Sequence, residues 1–118
     1  MKRVVLESPF AGNVERNVAY AKMCIKDMLD RGEAPIASHL LFTQPGILDD
    51  NKPEDRKLGI EAGLAWYEGA DLVVFYTDFG ISNGMKGAMA RASNTNIDIE
   101  ARNLSTAQIN ELKKKYPD

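Results

Sequence analysis

Residues 70–92 read ADLVVFYTDFGISNGMKGAMARA, and the fold turns on how they divide. Leu72-Val73-Val74-Phe75-Tyr76 is a short apolar run of strand character. Gly80 and then Ser82-Asn83-Gly84 end it, and a helix of small residues continues to Ala92. A strand, a glycine-bearing loop and a helix N-terminus in that order make a place where backbone N–H groups hold an anion. The segment points to a site for a nucleotide or a similar polar ligand.

Outward from this segment, strands and helices alternate. Val4-Val5-Leu6 reads as a buried first strand ending at Ser8-Pro9, and Phe10 to Asn13 as a loop. Asn13 is a candidate N-cap with Glu15 in the first turn. The helix after it carries Val14, Val18, Ala21, Ile25 and Met28 on one face, and Arg31-Gly32 stops it. Pro35 to Ser38 is a weaker second strand, followed by a long loop from His39 to Asn51. Pro53-Glu54-Asp55 opens a second helix, with proline at the first helical position and acids at the positive end. That helix has two apolar stripes: Leu58, Ala62, Ala65 and Trp66, then Ile60, Leu64 and Tyr67. Only one can lie on a sheet, so the other is expected to meet a loop or a second subunit, residues 53–68 being the expected contact surface of a homo-oligomer. Ile97 to Glu100 is a fourth short strand, and Ser105-Thr106-Ala107-Gln108 is a capping box opening the last helix.

Parallel strands need crossover connections, so this alternation predicts a parallel sheet with helices on both faces. The right-handed crossover rule leaves few arrangements. The expected fold is α/β, a flavodoxin-like (Rossmann-like) three-layer sandwich whose four-stranded parallel sheet has the order 2-1-3-4. One domain spans residues 1–118, without repeats or linkers.

Composition bounds the function. The chain is 44% hydrophobic and 27% charged with a formal net charge of −2, which suits a globular protein without a nucleic-acid partner. Lys113-Lys114-Lys115 complements the negative end of the last helix. The single cysteine, Cys24, excludes an intrachain disulfide framework and reads as a packed thiol in a reducing cytoplasm. Neither a signal peptide nor an apolar run near eighteen residues is present, so a cytoplasmic location without membrane insertion is expected.

Ligands in such sheets bind beyond the carboxyl ends of the strands. Four segments converge there: Ser8 to Asn13, His39 to Gln44, Tyr76 to Asp78, and Ser82 to Met85. The candidate binding residues are Ser8, Pro9, Phe10, Asn13, His39, Tyr76, Asp78, Ser82, Asn83, Gly84 and Met85. Arg16 and Asn17 join them from the first turn of helix one. A phosphate would favour the amides of Asn83, Gly84 and Met85, the Ser82 hydroxyl and the forked cation of Arg16. A plain helix cap at Ser82 and a glycine-shaped turn account for the same residues without a ligand.

Glu61, His39 and Asp78 are the candidate catalytic groups. Glu61 lies among small residues in Gly59-Ile60-Glu61-Ala62-Gly63, where it either serves as nucleophile or base or projects into solvent. His39, the only histidine, is either a catalyst or a structural hydrogen-bonder. Asp49, Asp50, Glu54 and Asp55 read as solvated caps. Zinc-ligand spacing, a Walker loop and a dinucleotide fingerprint are all missing, so no metal or cofactor is expected.

Four fragments in order are similar to the nucleoside 2-deoxyribosyltransferase superfamily and its nucleoside-monophosphate N-glycosidase branch. Ser8-Pro9-Phe10 is similar to the Gly-Pro-Phe after the transferases' first strand. Ser38-His39 resembles the Glu-His after strand two of the hydrolases, where the histidine lies in the active site. Gly63-Leu64-Ala65-Trp66 with Ala70-Asp71 resembles their Asp-Leu-Glu-Trp helix and Ala-Asp strand entry. Ser82-Asn83-Gly84, with Arg91-Ala92, resembles their phosphate-binding Ser-x-Gly and the helix after it. The resemblance spans Val4 to Ala92, and the small size is similar to a phage-type branch. It implies a deoxyribosyltransferase-like domain with a pocket commonly completed by a neighbouring subunit. The glutamate that attacks the sugar in the hydrolases falls on Ala88, and its assisting aspartate on Gly63. Glu61 lies two residues before Gly63, about 160° away around an ideal helix.

Three functions are therefore expected to compete. The first is a binding protein that holds, and sequesters, a nucleotide, nucleoside or ADP-ribose-like signal molecule. The second is an N-glycosidase or deoxyribosyltransferase with relocated carboxylates. The third is an oligomeric interaction protein without a ligand.

Overall fold

β1 (Arg3–Glu7) and β3 (Leu72–Tyr76) pair in parallel at the centre of the sheet, Val4 opposite Leu72 and Glu7 opposite Phe75. The computed structural model describes all residues from Met1 to Asp118. β2 (Ala34–Ile36) pairs with the outer side of β1, and β4 (Asp98–Arg102) with the outer side of β3. The order is β2-β1-β3-β4 with every pair parallel, the arrangement expected from the alternation of elements. All five β3 residues are buried, so helices must cover both faces.

Side-chain alternation along the two central strands assigns the layers. Val4, Leu6, Leu72, Val74 and Tyr76 pack against α1 (Val14–Asp30) and α5 (Thr106–Lys115). Val5, Val73 and Phe75 point the opposite way, toward α4 (Asn83–Asn94) and the 3₁₀ turn Trp66–Gly69. On that second face α4 contributes Met85, Ala88 and Ala92, and the turn contributes Tyr67. Asn13, Ser82 and Ser105 each accept a first-turn N–H as N-caps, and Gln108 completes the capping box. No helix is long and apolar enough to cross a membrane.

Three expectations need correction. The buried face of α1 is Asn17, Tyr20, Ala21, Cys24 and Met28, whereas Val14 is exposed. Tyr20 and Asn17 go inward because their polar tips find partners there, which an apolar stripe alone does not reveal. The second strand stops at Ile36, and Ser38–Leu41 forms a short helix, α2, because Ala37 turns into the core. The fourth strand starts one residue later and runs to Arg102. Asn96, at a φ of 57°, makes the turn after α4 and delays strand entry.

α3 (Pro53–Ala65) is largely exposed, with Gly63 its one buried residue. It can approach α2 because residue 63 has no side chain: a Cβ there would lie 2.3 Å from Ser38 Oγ. Leu58 on it and Trp66 just after it are 56% and 52% exposed.

Arg102 is the buried charge that ties the edges of the structure together. Its guanidinium makes two 2.7 Å hydrogen bonds to the Glu33 carboxylate and a third to Glu100. Only 7% of the Arg102 side chain and 12% of the Glu33 side chain are exposed. Hydrogen bonding to Arg102 holds the Glu33 carboxyl below the usual carboxylate range. A depressed carboxyl adds stability above its unfolded pKa and loses it as pH falls through the folded value. Truncating Arg102 would leave Glu33 buried and unpaired, a loss of roughly 3 kcal/mol. Chemical denaturation of Arg102→Ala at pH 7 is expected to show that loss, and the deficit should shrink at a pH low enough to protonate Glu33.

Candidate functional site

β1 leaves the sheet at Glu7, α2 follows β2, and α4 starts after the β3 loop; their ends surround a cavity of about 650 Å³. α3 and residues 42–50 form its outer wall. The cavity lies beyond the carboxyl ends of the strands, where open parallel sheets bind ligands. A volume of this size accommodates a small organic molecule.

At one wall is the first turn of α4. Ser82 Oγ accepts the Met85 N–H at 3.2 Å, so that amide is committed. The Asn83 and Gly84 amides make no hydrogen bond within the protein. Both residues line the cavity, as does Ser82, whose hydroxyl proton remains available. Unpartnered amides at the positive end of a twelve-residue helix are complementary to an anionic group.

The opposite wall carries a pair from β1 and α2. Ser8 Oγ lies 2.7 Å from His39 Nε2, while His39 Nδ1 is buried without a partner. Burial holds the imidazole down to about 4, so it is neutral at pH 7. Its proton belongs on Nε2, because on Nδ1 it would be a buried donor with nothing to receive it. Ser8 Oγ then accepts from His39 and keeps its own O–H for a ligand. A serine nucleophile needs the reverse, an imidazole that accepts the serine proton.

Glu7 is the group that sequence reasoning missed. Period-two alternation turns it away from Leu6 and onto the α4 face, into the cavity. Tyr67 Oη donates to its Oε1 at 2.9 Å, and its other oxygen has no protein partner. Burial lifts the carboxyl to about 7, against the pull of the Tyr67 hydrogen bond. Arg56, Leu48, Asp50 and Asp55, which also line the cavity, were missed as well, the two aspartates having been expected as solvated caps; Arg56 pairs with Asp50 at 3.2 Å. The alternation signal for Glu7 was present in the sequence, whereas nothing local marked Arg56.

The remaining candidates divide by face. Ser8, Phe10, His39, Ser82, Asn83, Gly84 and Met85 come together around the cavity. Pro9, Asn13, Arg16, Asn17, Tyr76 and Asp78 do not line it. Tyr76 is fully buried on the α1 side, donating to Asp27 at 2.6 Å. Asp78 Oδ2 accepts from Tyr20 Oη and from the Leu104 amide, which makes it a clamp between loops. Arg16 stacks on Phe79 at 4.1 Å and pairs with Asp118. Asn17 donates to the Phe10 and Ala11 carbonyls, holding the loop that brings Phe10 to the cavity. Glu61 is exposed and outside the cavity wall. Gly63 and Ala88, where the resemblance implied lost carboxylates, both line the cavity. Ser38 Oγ occupies the space that a residue 63 side chain would need.

Glu7 and His39 titrate in opposite senses. For Glu7 the folded pKa is raised, so stability falls as pH rises from about 4.5 to about 7. For His39 it is lowered, so stability rises between about 4 and 6.5. The two slopes largely cancel in the native protein. Glu7→Gln removes one of them and keeps the Tyr67 hydrogen bond. Its stability advantage over the native protein is expected to grow from near zero at pH 4 to roughly 3 kcal/mol at pH 8. Urea unfolding across that range measures it.

Among solved structures, the chain is similar to the 2-deoxyribosyltransferase of the psychrotolerant bacterium Bacillus psychrosaccharolyticus. The TM-score is 0.54 at 14% sequence identity, over 92% of this chain and 80% of that one. At this identity the likeness is one of fold, and the fold is the one that the sequence resemblance implied. No curated protein matches the chain in sequence. The family model described as Domain of unknown function (DUF7768) matches residues 2–102, and the chain belongs to that family.

Proposed function

We propose that this protein binds a nucleoside- or nucleotide-like small molecule in the cavity at the carboxyl edge of the sheet, and sequesters it. The observation that carries this reading is the meeting of two free amides and a capping hydroxyl at α4 with an apolar wall in one enclosure. Asn83, Gly84 and Ser82 suit an anionic end, and Phe10, Phe42 and Leu48 suit a planar heterocycle. The likeness in fold to a nucleoside-processing enzyme supports the ligand class.

Hydrolysis of an N-glycosidic bond is a second reading, favoured by one observation. A carboxyl group, Glu7, does stand in the same cavity as Gly63 and Ala88. With burial lifting it to about 7, it is suited to protonate a departing base.

One titration series separates the readings. Calorimetry with nucleosides and their 5′-monophosphates is expected to give monophosphates roughly tenfold tighter binding, from charge-assisted hydrogen bonds at α4. Equal affinity for both, or no binding, would refute the anion site. Chromatography of the recovered ligand should return it intact; freed base would replace sequestration by hydrolysis.

Self-association through residues 53–68 is also proposed, because Leu58 of α3 and Trp66 at the start of the 3₁₀ turn after it stand exposed. Sedimentation is expected to show a dimer or larger species that Trp66→Glu dissociates. A native protein that sediments as a monomer at micromolar concentration rules the proposal out.

A further inference from the structure

Three carboxylic acids line the cavity, and each accepts one hydrogen bond within the protein. Asp50 pairs with Arg56, and Asp55 Oδ2 accepts the Asp49 N–H at 2.9 Å. Each of the three keeps one oxygen without a protein partner, and Glu7 is the one set by a buried side-chain donor on the sheet side of the cavity, with no cation in ion-pair range. Tyr67, only 2% exposed, fixes the carboxyl by donating to Oε1, which leaves Oε2 as the free end.

No cation pairs with Glu7: Arg56, the cation on the cavity wall, is paired with Asp50. From α2 comes the neutral imidazole of His39, and from the 3₁₀ turn the Tyr67 hydroxyl. From α4 the cavity receives Met85, Gly87 and Ala88, together with the first-turn residues Asn83 and Gly84, none of them a charged side chain. Arg91, whose charge reaches the Tyr67 hydroxyl, is exposed and forms no ion pair with Glu7. An anion entering this enclosure would disfavour a carboxylate further and favour the acid. A protonated carboxyl whose first oxygen already accepts from Tyr67 presents a donor on its second.

We propose that Glu7 is the specificity-determining contact of the cavity, donating a proton-bearing Oε2 to a hydrogen-bond acceptor on the ligand's heterocycle. This rests on the reading that the cavity holds an anionic nucleotide-like molecule. Ligand binding then takes up a proton, and the cavity selects rings that offer a bare nitrogen or a carbonyl oxygen at that place. An ionised Glu7 would instead repel such an acceptor.

The test is calorimetry with adenosine and cytidine 5′-monophosphate at pH 6, 7 and 8, in pairs of buffers that differ in ionisation enthalpy. The native protein is expected to take up close to one proton at pH 8. Its affinity should fall about tenfold per pH unit above the titration of Glu7. Glu7→Gln keeps a neutral donor in the same place, so at pH 7 and 8, where the phosphate is largely dianionic, it should bind without proton uptake and without the loss of affinity. Glu7→Ala should lose at least tenfold at pH 6. Proton uptake that persists in Glu7→Gln at pH 8 overturns the assignment, as does a Gln variant as weak as the Ala variant at pH 6. Binding by the native protein without proton uptake overturns this assignment and leaves the binding reading standing. Absence of binding by both nucleotides at every pH overturns the two together.

Discussion

The register of β1 against β3 governs the rest of this molecule. Four residues of each strand are matched, and the pair is covered on both faces, so successive side chains must go to opposite layers. Leu6 enters the α1–α5 layer, and the next residue cannot follow it. Glu7 is thereby delivered to the α4 side at the last position of its strand, where the sheet ends and the enclosure begins. A slip of one residue would exchange the two and place a carboxyl in the larger apolar cluster, at a cost of several kcal/mol.

Around that enclosure, several polar groups are held in uncharged or mutually cancelling states. His39 is neutral, Glu7 is at the border of ionisation, and Asp50 and Arg56 offset one another. Free N–H groups face the enclosure from the start of α4. Backbone dipoles do not reorganise when an anion enters, whereas long cationic side chains lose rotamer freedom on doing so. The loop between β3 and α4 is held at Asp78 by Tyr20 and the Leu104 amide.

The sequence carried the fold because the fold is written in local signals: apolar runs, caps at Asn13, Ser82 and Ser105, and stops at glycine. It carried half of the candidate site for the same reason, since Ser82-Asn83-Gly84 and Ser8 sit at element boundaries. Asp78, Tyr76 and Arg16 were legible as residues near the right edge, but not as residues of the wrong face. Side-chain direction there follows from the strand register, which single residues do not reveal. Glu7 was hidden by its place at the end of an apolar strand, where a charged residue reads as the return to solvent. The paired roles of Gly63 and Ser38 could not be read at all, because their contact joins two helices separated by a long loop.

Cys24 lies at the opposite pole from the cavity wall, in the layer between α1 and the sheet. Burial pushes its thiol well above the usual range, so no thiolate is present to react while α1 stays seated. Alkylation of that one sulfur therefore counts how often the α1 layer lifts from the sheet. The molecule carries its own clock for that opening, and it is blind to fluctuations of α3 on the far side.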